Sequence, residues 1–277
     1  MSLKVGIVGA AGYAGAELIR LVLGHPEFEL VAITSNADAG QPLSAVYPSF
    51  AGVSDLVFTT HDAPELKSCD AVFLAVPHTA AMAQVPALLA SGVSCFDLSA
   101  DYRLNDASVF ETWYAAEHTS PELLKTRAFG LPELFCRDLE TAASDHADGK
   151  PVLVACAGCY PTATSLAAAP AVRAGWVAQS GPVIVDAISG VTGAGKSCNA
   201  RTHFCSADEN LEAYGVGKHR HTPEIEQILG LTDRVVFTPH LAPLKRGLLS
   251  TVTLPLTPQA IDSLALEDVV DYYKQFY

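Results

Sequence analysis

Cys159 is the residue whose type and position are best suited to chemistry. Pro161 suits the first turn of a helix and the alanine-rich residues 163–169 follow, so Cys159 is predicted at or just before a helix N-terminus. There the helix dipole and unpaired N–H groups lower the pKa of a thiol and stabilise its thiolate. The same N–H groups can hold an oxyanion on an acyl group bound to the sulfur. The segment therefore predicts a cysteine nucleophile.

Other interpretations of the cysteines are weaker. Cys156 and Cys159 have the spacing of a C-x-x-C redox pair, but the surrounding chain lacks the thioredoxin pattern. Six residues lie between Cys198 and Cys205, which is a poor spacing for zinc, so no metal site is expected. A buried cysteine with no chemical role is the ordinary case, and it suits Cys69, Cys95, Cys136 and Cys156.

Two histidines, His219 and His221, alternate with basic residues just before a predicted helix. Thr222 is a plausible N-cap and Pro223 a first helical residue, which leaves both histidines in an extended segment entering that helix. A lone histidine is more often structural, but this pair among cations suits an anionic ligand. A reactive cysteine needs such a base, and His219, further from the helix, is the favoured one.

A glycine motif near the N-terminus is a candidate binding site for a phosphate-containing ligand. Gly9, Gly12 and Gly15 lie between an apolar strand at 4–8 and an amphipathic helix at 16–23. In this context small residues let the backbone approach a pyrophosphate at the helix N-terminus. The residues expected to bind a dinucleotide here are Gly9, Ala11, Gly12, Tyr13, Ala14 and Gly15.

The end of the second strand, at 29–34, indicates which dinucleotide is preferred. An NAD site usually has an acid there for the ribose 2′-hydroxyl. This chain has Ser35 and Asn36 instead, and no acid until Asp38. Neutral hydrogen-bonding side chains accept a 2′-phosphate without repulsion, so NADP(H) is the expected cofactor.

Three further loops complete the candidate site. Pro77 and His78 end the strand at 70–76, and Arg103 lies just beyond the strand at 93–98, where α/β proteins bind ligands; a surface salt bridge is the alternative for Arg103. The glycine-rich residues 186–196 leave another strand, and their spacing is not that of an ATP-binding phosphate loop.

The strands and helices predict two domains in a 277-residue chain. Apolar strands alternate with helices up to about residue 155, which indicates a Rossmann-like α/β domain with a sheet covered on both faces. Beyond it, residues 182–187, 234–239 and 248–256 predict an α+β domain with a mixed or antiparallel sheet. We therefore expect a dinucleotide-binding domain over 1–155 and a catalytic and oligomerisation domain over 156–277.

Composition excludes several classes of protein. The chain is 49% hydrophobic and 17% charged, which argues against disorder. A net charge of −13 argues against nucleic acid and anionic lipid partners. An apolar run of about 18 residues, the length of a membrane span, is missing from the sequence. We expect a soluble cytoplasmic protein with reduced thiols.

The motifs together resemble the N-acetyl-γ-glutamyl-phosphate reductase family of arginine biosynthesis, whose members are related to aspartate-semialdehyde dehydrogenase. The matching segments occur in family order and cover nearly the whole chain: GAAGYAG at 9–15, DLSADYR at 97–103, GCYPT at 158–162, SGVTGAG at 189–195, HRHTPEI at 219–225 and TPHL at 238–241.

The resemblance implies a reaction. Cys159 would attack the acyl phosphate of N-acetylglutamyl phosphate, phosphate would leave, and NADPH would reduce the thioester to the semialdehyde. His219 or His221 would move protons, with Glu224 as an orienting carboxylate. The other residues it implies are Ser99, Arg103 and Lys196, with His219, for the substrate, and Pro77, His78, Ser189, Gly190 and Gly193 for the cofactor.

The resemblance also implies a homo-oligomer, a dimer or tetramer. Family members run some tens of residues beyond Tyr277, so the sequence predicts lower activity for this chain than for one extended by that segment. Two alternatives stay open: a related reductase acting on a different acyl phosphate, and a protein that binds nucleotide without turnover. Reactivity of Cys159 towards a thiol reagent distinguishes chemistry from binding alone.

Overall fold

The computed structural model describes residues 2–277, which form two compact units. The first unit comprises the chain up to Gly130 together with Phe135–Cys156, and the second comprises Leu131–Leu134 and Ala157–Tyr277. None of the helices in the described range is long and apolar enough to cross a membrane.

The strands are β1 Leu3–Val8, β2 Phe28–Thr34, β3 Ala71–Leu74, β4 Ser94–Asp97, β5 Ala128–Gly130, β6 Leu153–Cys156, β7 Val183–Gly190, β8 Glu212–Ala213, β9 Val235–Ala242 and β10 Leu248–Thr253. The α-helices are α1 Tyr13–Leu23, α2 Leu43–Val46, α3 Val85–Ala90, α4 Ala107–Tyr114, α5 Pro132–Ala147, α6 Cys159–Arg173, α7 Phe204–Ala207, α8 Thr222–Leu229, α9 Pro258–Ser263 and α10 Leu266–Phe276. Short 3-10 helices cover Pro48–Phe50, Pro64–Ser68, Ala81–Ala83, Pro121–Lys125 and Val191–Ala194.

The first unit is built on a six-stranded parallel sheet in the order β2-β1-β3-β4-β6-β5. Its strands are apolar because they are covered on both faces: Val5, Ile7 and Val8 of β1 are all fully buried, in two different apolar clusters. In this sheet β2 lies on one side of β1 and β3 on the other, so the strand order reverses its direction at β1. Ligands of α/β sheets bind at such a point, beyond the carboxyl ends of the strands.

The second unit contains a mixed four-stranded sheet in the order β10-β7-β9-β8. β7 pairs in parallel with β9 and antiparallel with β10, and β8 pairs antiparallel with β9. Burial alternates along β7, where Val183 and Val185 are fully buried and Ile184 is exposed. One face of the sheet is therefore covered and the other is open. Together the two units confirm the predicted fold class.

The alanine-rich residues 80–90 do not form one continuous helix. They are divided into the 3-10 helix Ala81–Ala83 and α3, with Gln84 between them. Pro86 explains the break, because its ring has no N–H to donate and would clash with the carbonyl of the residue four positions earlier in a continuous helix.

Candidate functional site

The glycine motif forms a tight turn in which two of its glycines are required by the chain itself. Gly9 has φ +78°, and a Cβ there would lie 2.4 Å from the carbonyl oxygen of Ala75. A Cβ on Gly15 would lie 2.5 Å from the Cα of Ala10. The nearest atom to a Cβ on Gly12 is 3.5 Å away, an ordinary contact. Gly12 therefore leaves a space that the protein does not fill.

This space lies at the N-terminus of α1, where Gly12 is the N-cap. The first bond of the helix runs from the N–H of Ala16 to the oxygen of Gly12, at 2.9 Å, so the N–H groups of Tyr13, Ala14 and Gly15 precede it. Tyr13 and Ala14 are exposed. A pyrophosphate needs such close backbone approach and such donors, and the residues present fit a dinucleotide.

The structure brings an acid to the end of β2 that sequence reasoning placed outside the site. The Ser35 hydroxyl donates to the Asp38 carboxylate at 2.7 Å, and the Asn36 side-chain oxygen accepts the N–H of His61 at 2.9 Å. The Ser35 hydroxyl therefore uses its one proton in the hydrogen bond to Asp38. A short turn with Asp three residues after Ser is the signal that would have indicated this pairing.

Asp97 is the last residue of β4, and Ser99 lies in the loop that follows it. Both are buried, and the Asp97 carboxylate accepts the N–H of Ser99 at 2.8 Å and its hydroxyl at 2.9 Å. Burial raises the pKa of Asp97 to about 6. The internal bonds of Ser99 account for its position, and a contact with substrate stays a prediction.

Arg103 is 5% exposed and ties its loop to two strand ends. Its Nε donates to the carbonyl of Cys156 at 2.8 Å, and its Nη2 donates to the carbonyl of Leu98 at 2.7 Å. Burial, and secondarily the charge of Asp97, raise the pKa of the Cys156 thiol to about 11. Cys156 is therefore a thiol at neutral pH, which weakens the redox-pair alternative.

Cys159 is exposed and is the first residue of α6. Gly158 is the N-cap in an extended conformation, and its carbonyl accepts the N–H of Thr162 at 2.9 Å. Cys159 therefore lies at the end of α6 where the unpaired amides of the first turn create positive potential. The structure places the cysteine where the sequence predicts it.

Glu224 supports this position from α8. It is 1% exposed, and its Oε1 accepts the N–H of Gly158 at 2.8 Å. The sequence resemblance implied a carboxylate that orients a histidine, whereas this bond is made to the residue next to the nucleophile. Sequence spacing gives no sign of it, since 66 positions separate the two residues.

His219 lies in an aromatic pocket formed by Tyr160, Tyr214 and Phe237, with ring centroids 5.1–5.8 Å away. Its Nδ1 accepts the backbone N–H of His221 at 3.2 Å, so the neutral ring carries its proton on Nε2. Burial, reinforced by the charge of Arg220, lowers the pKa of His219 to about 4. At neutral pH His219 is therefore an uncharged hydrogen-bond donor.

The segment before α8 differs from the expected extended one. It is a turn, in which Gly215 and Gly217 have positive φ and the His219 carbonyl accepts the N–H of Thr222 at 3.0 Å. The turn brings the rings of His219 and His221 to 4.9 Å. The N-cap of α8 is His221, with Thr222 as the first helical residue, one position earlier than predicted.

The glycine-rich loop after β7 is explained largely by packing. A Cβ on Gly190 would lie 2.8 Å from the carbonyl oxygen of Leu244, and one on Gly193 would lie 2.7 Å from the Ser189 hydroxyl. Ser189 itself is buried and donates to the Gly190 carbonyl at 3.0 Å. Lys196 is exposed. Contacts of this loop with cofactor or substrate stay predictions, as do those of Pro77 and His78.

Sequence reasoning missed Tyr160 and Tyr214 as neighbours of the candidate nucleophile. Their hydroxyls are 3.3 Å apart, and the charge of Cys159 contributes, after burial, to raising the pKa of both. Tyr160 follows Cys159 directly, which is a signal available in the sequence. Tyr214 has no such signal.

Two family models match the chain in the order of its units. The first, semialdehyde dehydrogenase NAD binding domain, matches residues 4–142, and the second, semialdehyde dehydrogenase dimerisation domain, matches residues 159–277. A protein named N-acetyl-gamma-glutamyl-phosphate reductase from Symbiobacterium thermophilum is 44% identical over 100% of this chain and 77% of its own length. Its namesake from Syntrophobacter fumaroxidans is 46% identical over 99% of this chain and 77% of its own.

The chain belongs to the N-acetyl-gamma-glutamyl-phosphate reductase family. This confirms the family resemblance and the prediction of an enzyme, an oxidoreductase that uses a nicotinamide dinucleotide. The dimerisation domain agrees with the predicted homo-oligomer.

Solved structures agree with the reductase family in fold. Aspartate semialdehyde dehydrogenase from Candida albicans, determined with NADP, has a TM-score of 0.72 at 17% identity and covers 98% of this chain and 76% of its own. Aspartate semialdehyde dehydrogenase II from Vibrio cholerae has a TM-score of 0.71 at 14% identity and covers 100% of this chain and 80% of its own.

Proposed function

We propose that the chain reduces N-acetyl-γ-glutamyl phosphate to N-acetylglutamate semialdehyde and phosphate, with NADPH and through a thioester on Cys159, as a step of arginine biosynthesis. The observation that carries the proposal is the exposed Cys159 at the first position of α6. The names of the relatives supply the substrate. The pathway is the one that the sequence resemblance implies.

In the proposed reaction the Cys159 thiolate forms a bond to the acyl carbon, and the bond from that carbon to the phosphate oxygen breaks. Phosphate leaves with the electron pair. NADPH held at the glycine turn of residues 9–15 would supply a hydride to the thioester carbon. The resulting tetrahedral oxyanion collapses to the aldehyde and the carbon–sulfur bond breaks, which restores the thiolate. The collapse of the oxyanion to aldehyde and thiolate needs no proton from the protein.

His219 is suited to this reaction as a hydrogen-bond donor that transfers no proton. Its neutral ring offers the Nε2 proton as a hydrogen-bond donor, because Nδ1 is engaged by the His221 N–H. We propose that this donor, with the first amides of α6, stabilises the tetrahedral oxyanion. Glu224 holds the amide before the nucleophile, and His221 holds the tautomer of His219 through its backbone.

Arg103, Lys196 and Ser99 are retained as proposed substrate residues. Arg103 has the strongest support, because a guanidinium suits phosphate recognition and its side chain is held by two carbonyls. The cytoplasmic location expected from the sequence stays a prediction.

The reaction is tested most directly in reverse. Purified chain with N-acetylglutamate semialdehyde, phosphate and NADP⁺ is expected to form NADPH, measured by absorbance, with a strict need for phosphate. Aspartate semialdehyde serves as the matched second substrate. Preference for it would replace the proposal with an aspartate-semialdehyde-dehydrogenase activity, and NADP⁺ binding with neither reaction would indicate a binding protein.

We propose that NADPH is preferred over NADH, supported by Ser35 and Asn36, and that Asp38 limits the preference. A carboxylate bonded to Ser35 repels a 2′-phosphate, whereas an amide can accept from Ser35 and also donate to phosphate. Asp38→Asn is therefore expected to raise the ratio of kcat/KM for NADPH to that for NADH by roughly tenfold, which corresponds to about 1.4 kcal/mol.

Asn36→Asp is expected to shift the same ratio in the opposite direction. The exposed Asp55 provides a control, since Asp55→Asn removes a charge from the same unit. An unmodified chain that turns over NADH as well as NADPH would refute the preference. An unchanged ratio in Asp38→Asn would refute the role of Asp38.

We propose that the dimer forms through the open face of the second sheet. Ile184, Val236 and Leu249 are 39%, 51% and 62% exposed on strands β7, β9 and β10. Ile184 and Val236 are register partners, so these apolar side chains share one face. Apolar residues on one open sheet face within a dimerisation domain are the features expected of a subunit interface.

A further inference from the structure

Asp101 is a buried carboxylate with a bonding pattern that the proposed reaction does not explain. It is 0% exposed and follows β4 by four residues. Its Oδ1 accepts the N–H of Thr79 at 2.6 Å, and its Oδ2 accepts the N–H of Met82 at 3.1 Å. Both donors belong to the segment 75–82 that follows β3, so the carboxylate joins the loops of two neighbouring strands.

The backbone of Asp101 is itself fixed in place. Its N–H donates to the Ser99 hydroxyl at 3.1 Å, and its carbonyl accepts the Nε2 proton of His118 at 2.7 Å. His118 is buried, with its ring against Tyr102 and Phe110. These bonds fix the backbone of Asp101, and with it the position from which the carboxylate binds the 75–82 segment.

Thr79 is the residue that needs such a partner. It has φ +75°, in the left-handed region, although it is a β-branched residue and is exposed. Threonine is disfavoured in this region, and such a conformation persists only where the surroundings impose it. Two bonds impose it here: the Ala80 N–H donates to the Pro77 carbonyl at 3.2 Å, which closes a turn with Thr79 at its third position, and the Thr79 N–H donates to Asp101. The bond to Asp101 is the one made by a side chain from another loop.

The conformation of this segment bears on the dinucleotide site. Ala75, where the segment begins, packs against Gly9 so closely that a Cβ on Gly9 would lie 2.4 Å from its carbonyl oxygen. The segment carries Pro77 and His78, and the His78 Nδ1 accepts the N–H of Ala100 at 3.1 Å. It therefore lies beside the glycine turn at the carboxyl edge of the sheet.

We propose that Asp101 is a positioning residue for the cofactor: by holding Thr79 in its left-handed conformation, it fixes the 75–82 segment as one wall of the dinucleotide site. The proposal rests on the cofactor part of the proposed function and concerns neither the acyl phosphate nor Cys159. It assigns the carboxylate to binding, since Asp101 acts through the backbone of another segment.

The test measures NADPH binding directly, by fluorescence titration, together with thermal unfolding. Asp101→Asn keeps the size of the side chain but has one acceptor oxygen where two N–H groups need one each. We expect its Kd for NADPH to rise about tenfold or more. Adding Thr79→Gly should bring the Kd back to within about threefold of the unmodified value, because glycine adopts positive φ without strain.

Asp97→Asn is the matched control, because Asp97 is a second buried carboxylate, four residues before Asp101 at the end of β4, and its bonds are made to Ser99. Any loss of NADPH affinity in Asp97→Asn should not be restored by Thr79→Gly. Normal binding by Asp101→Asn, or equal restoration of both variants, would overturn the positioning role. If the Tm of Asp101→Asn falls and Thr79→Gly restores Tm without restoring Kd, the role is structural only and the proposal is wrong. Failure of the unmodified chain to bind NADPH would instead overturn the proposed function.

Discussion

Cys159→Ser is expected to lower the rate of reduction by at least about 10³-fold while leaving the Kd for NADPH nearly unchanged. Serine at the same helix N-terminus stays a poorly ionised alcohol, so it does not form the acyl intermediate. The first unit, which carries the glycine turn, is not altered by the change. Steady-state kinetics and an NADPH titration measure the two quantities separately.

The neighbouring cysteine provides the control for this result. Burial raises the pKa of Cys156 to about 11, so Cys156→Ser should retain most of the activity. A thiol reagent at neutral pH should label Cys159 rapidly and first among the cysteines of the chain, with protection by the acyl phosphate. Substantial turnover by Cys159→Ser, or rapid labelling of Cys156, would refute the covalent mechanism.

His219→Phe is expected to lower kcat by about 10²–10³-fold, and His219→Gln by about tenfold less. Glutamine places an amide donor near the position of Nε2, so it replaces a hydrogen-bond donor but cannot replace a base. His221→Gln tests the other histidine and keeps the backbone N–H that fixes the His219 tautomer. Equal losses in His219→Gln and His219→Phe would show that His219 acts as a base.

The pH dependence gives a second measurement on the same residue. The pKa of His219 is about 4 in the folded chain, below the ordinary value of 6.5. The unfolded chain therefore takes up the proton first as the pH falls. His219 leaves the free energy of unfolding unchanged above about pH 6.5 and lowers it between about pH 6.5 and 4. His219→Gln should lack this part of the pH dependence.

The sequence predicts those features that depend on short stretches of chain. The position of Cys159 follows from Pro161 two residues later, and the glycine turn follows from its place between β1 and α1. Apolar strands predict the covered sheet of the first unit, and alternating strands predict the mixed sheet of the second. These signals are local, so a single sequence contains them.

The features that the sequence does not reveal depend on residues far apart or on backbone geometry. The bond from Gly158 to Glu224 spans 66 positions, and the bond from Thr79 to Asp101 spans 22. The turn before α8 includes positive φ at two glycines, whereas the predicted N-cap at Thr222 placed His219 and His221 in an extended segment. Hydrogen-bond partners this far apart in the chain can be identified only from the folded structure.

The bond between Glu224 and Gly158 has a consequence for recombining this chain with its relatives. A crossover anywhere between α6 and α8 takes the nucleophile from one parent and its buried carboxylate from the other. Such a hybrid still contains the cysteine and the histidines. The bond from the Gly158 amide to the Glu224 carboxylate, however, then joins two backbones that come from different parents. Crossovers before Gly158 or after α8 inherit the pair intact, and shuffled libraries should retain active members mainly at those boundaries.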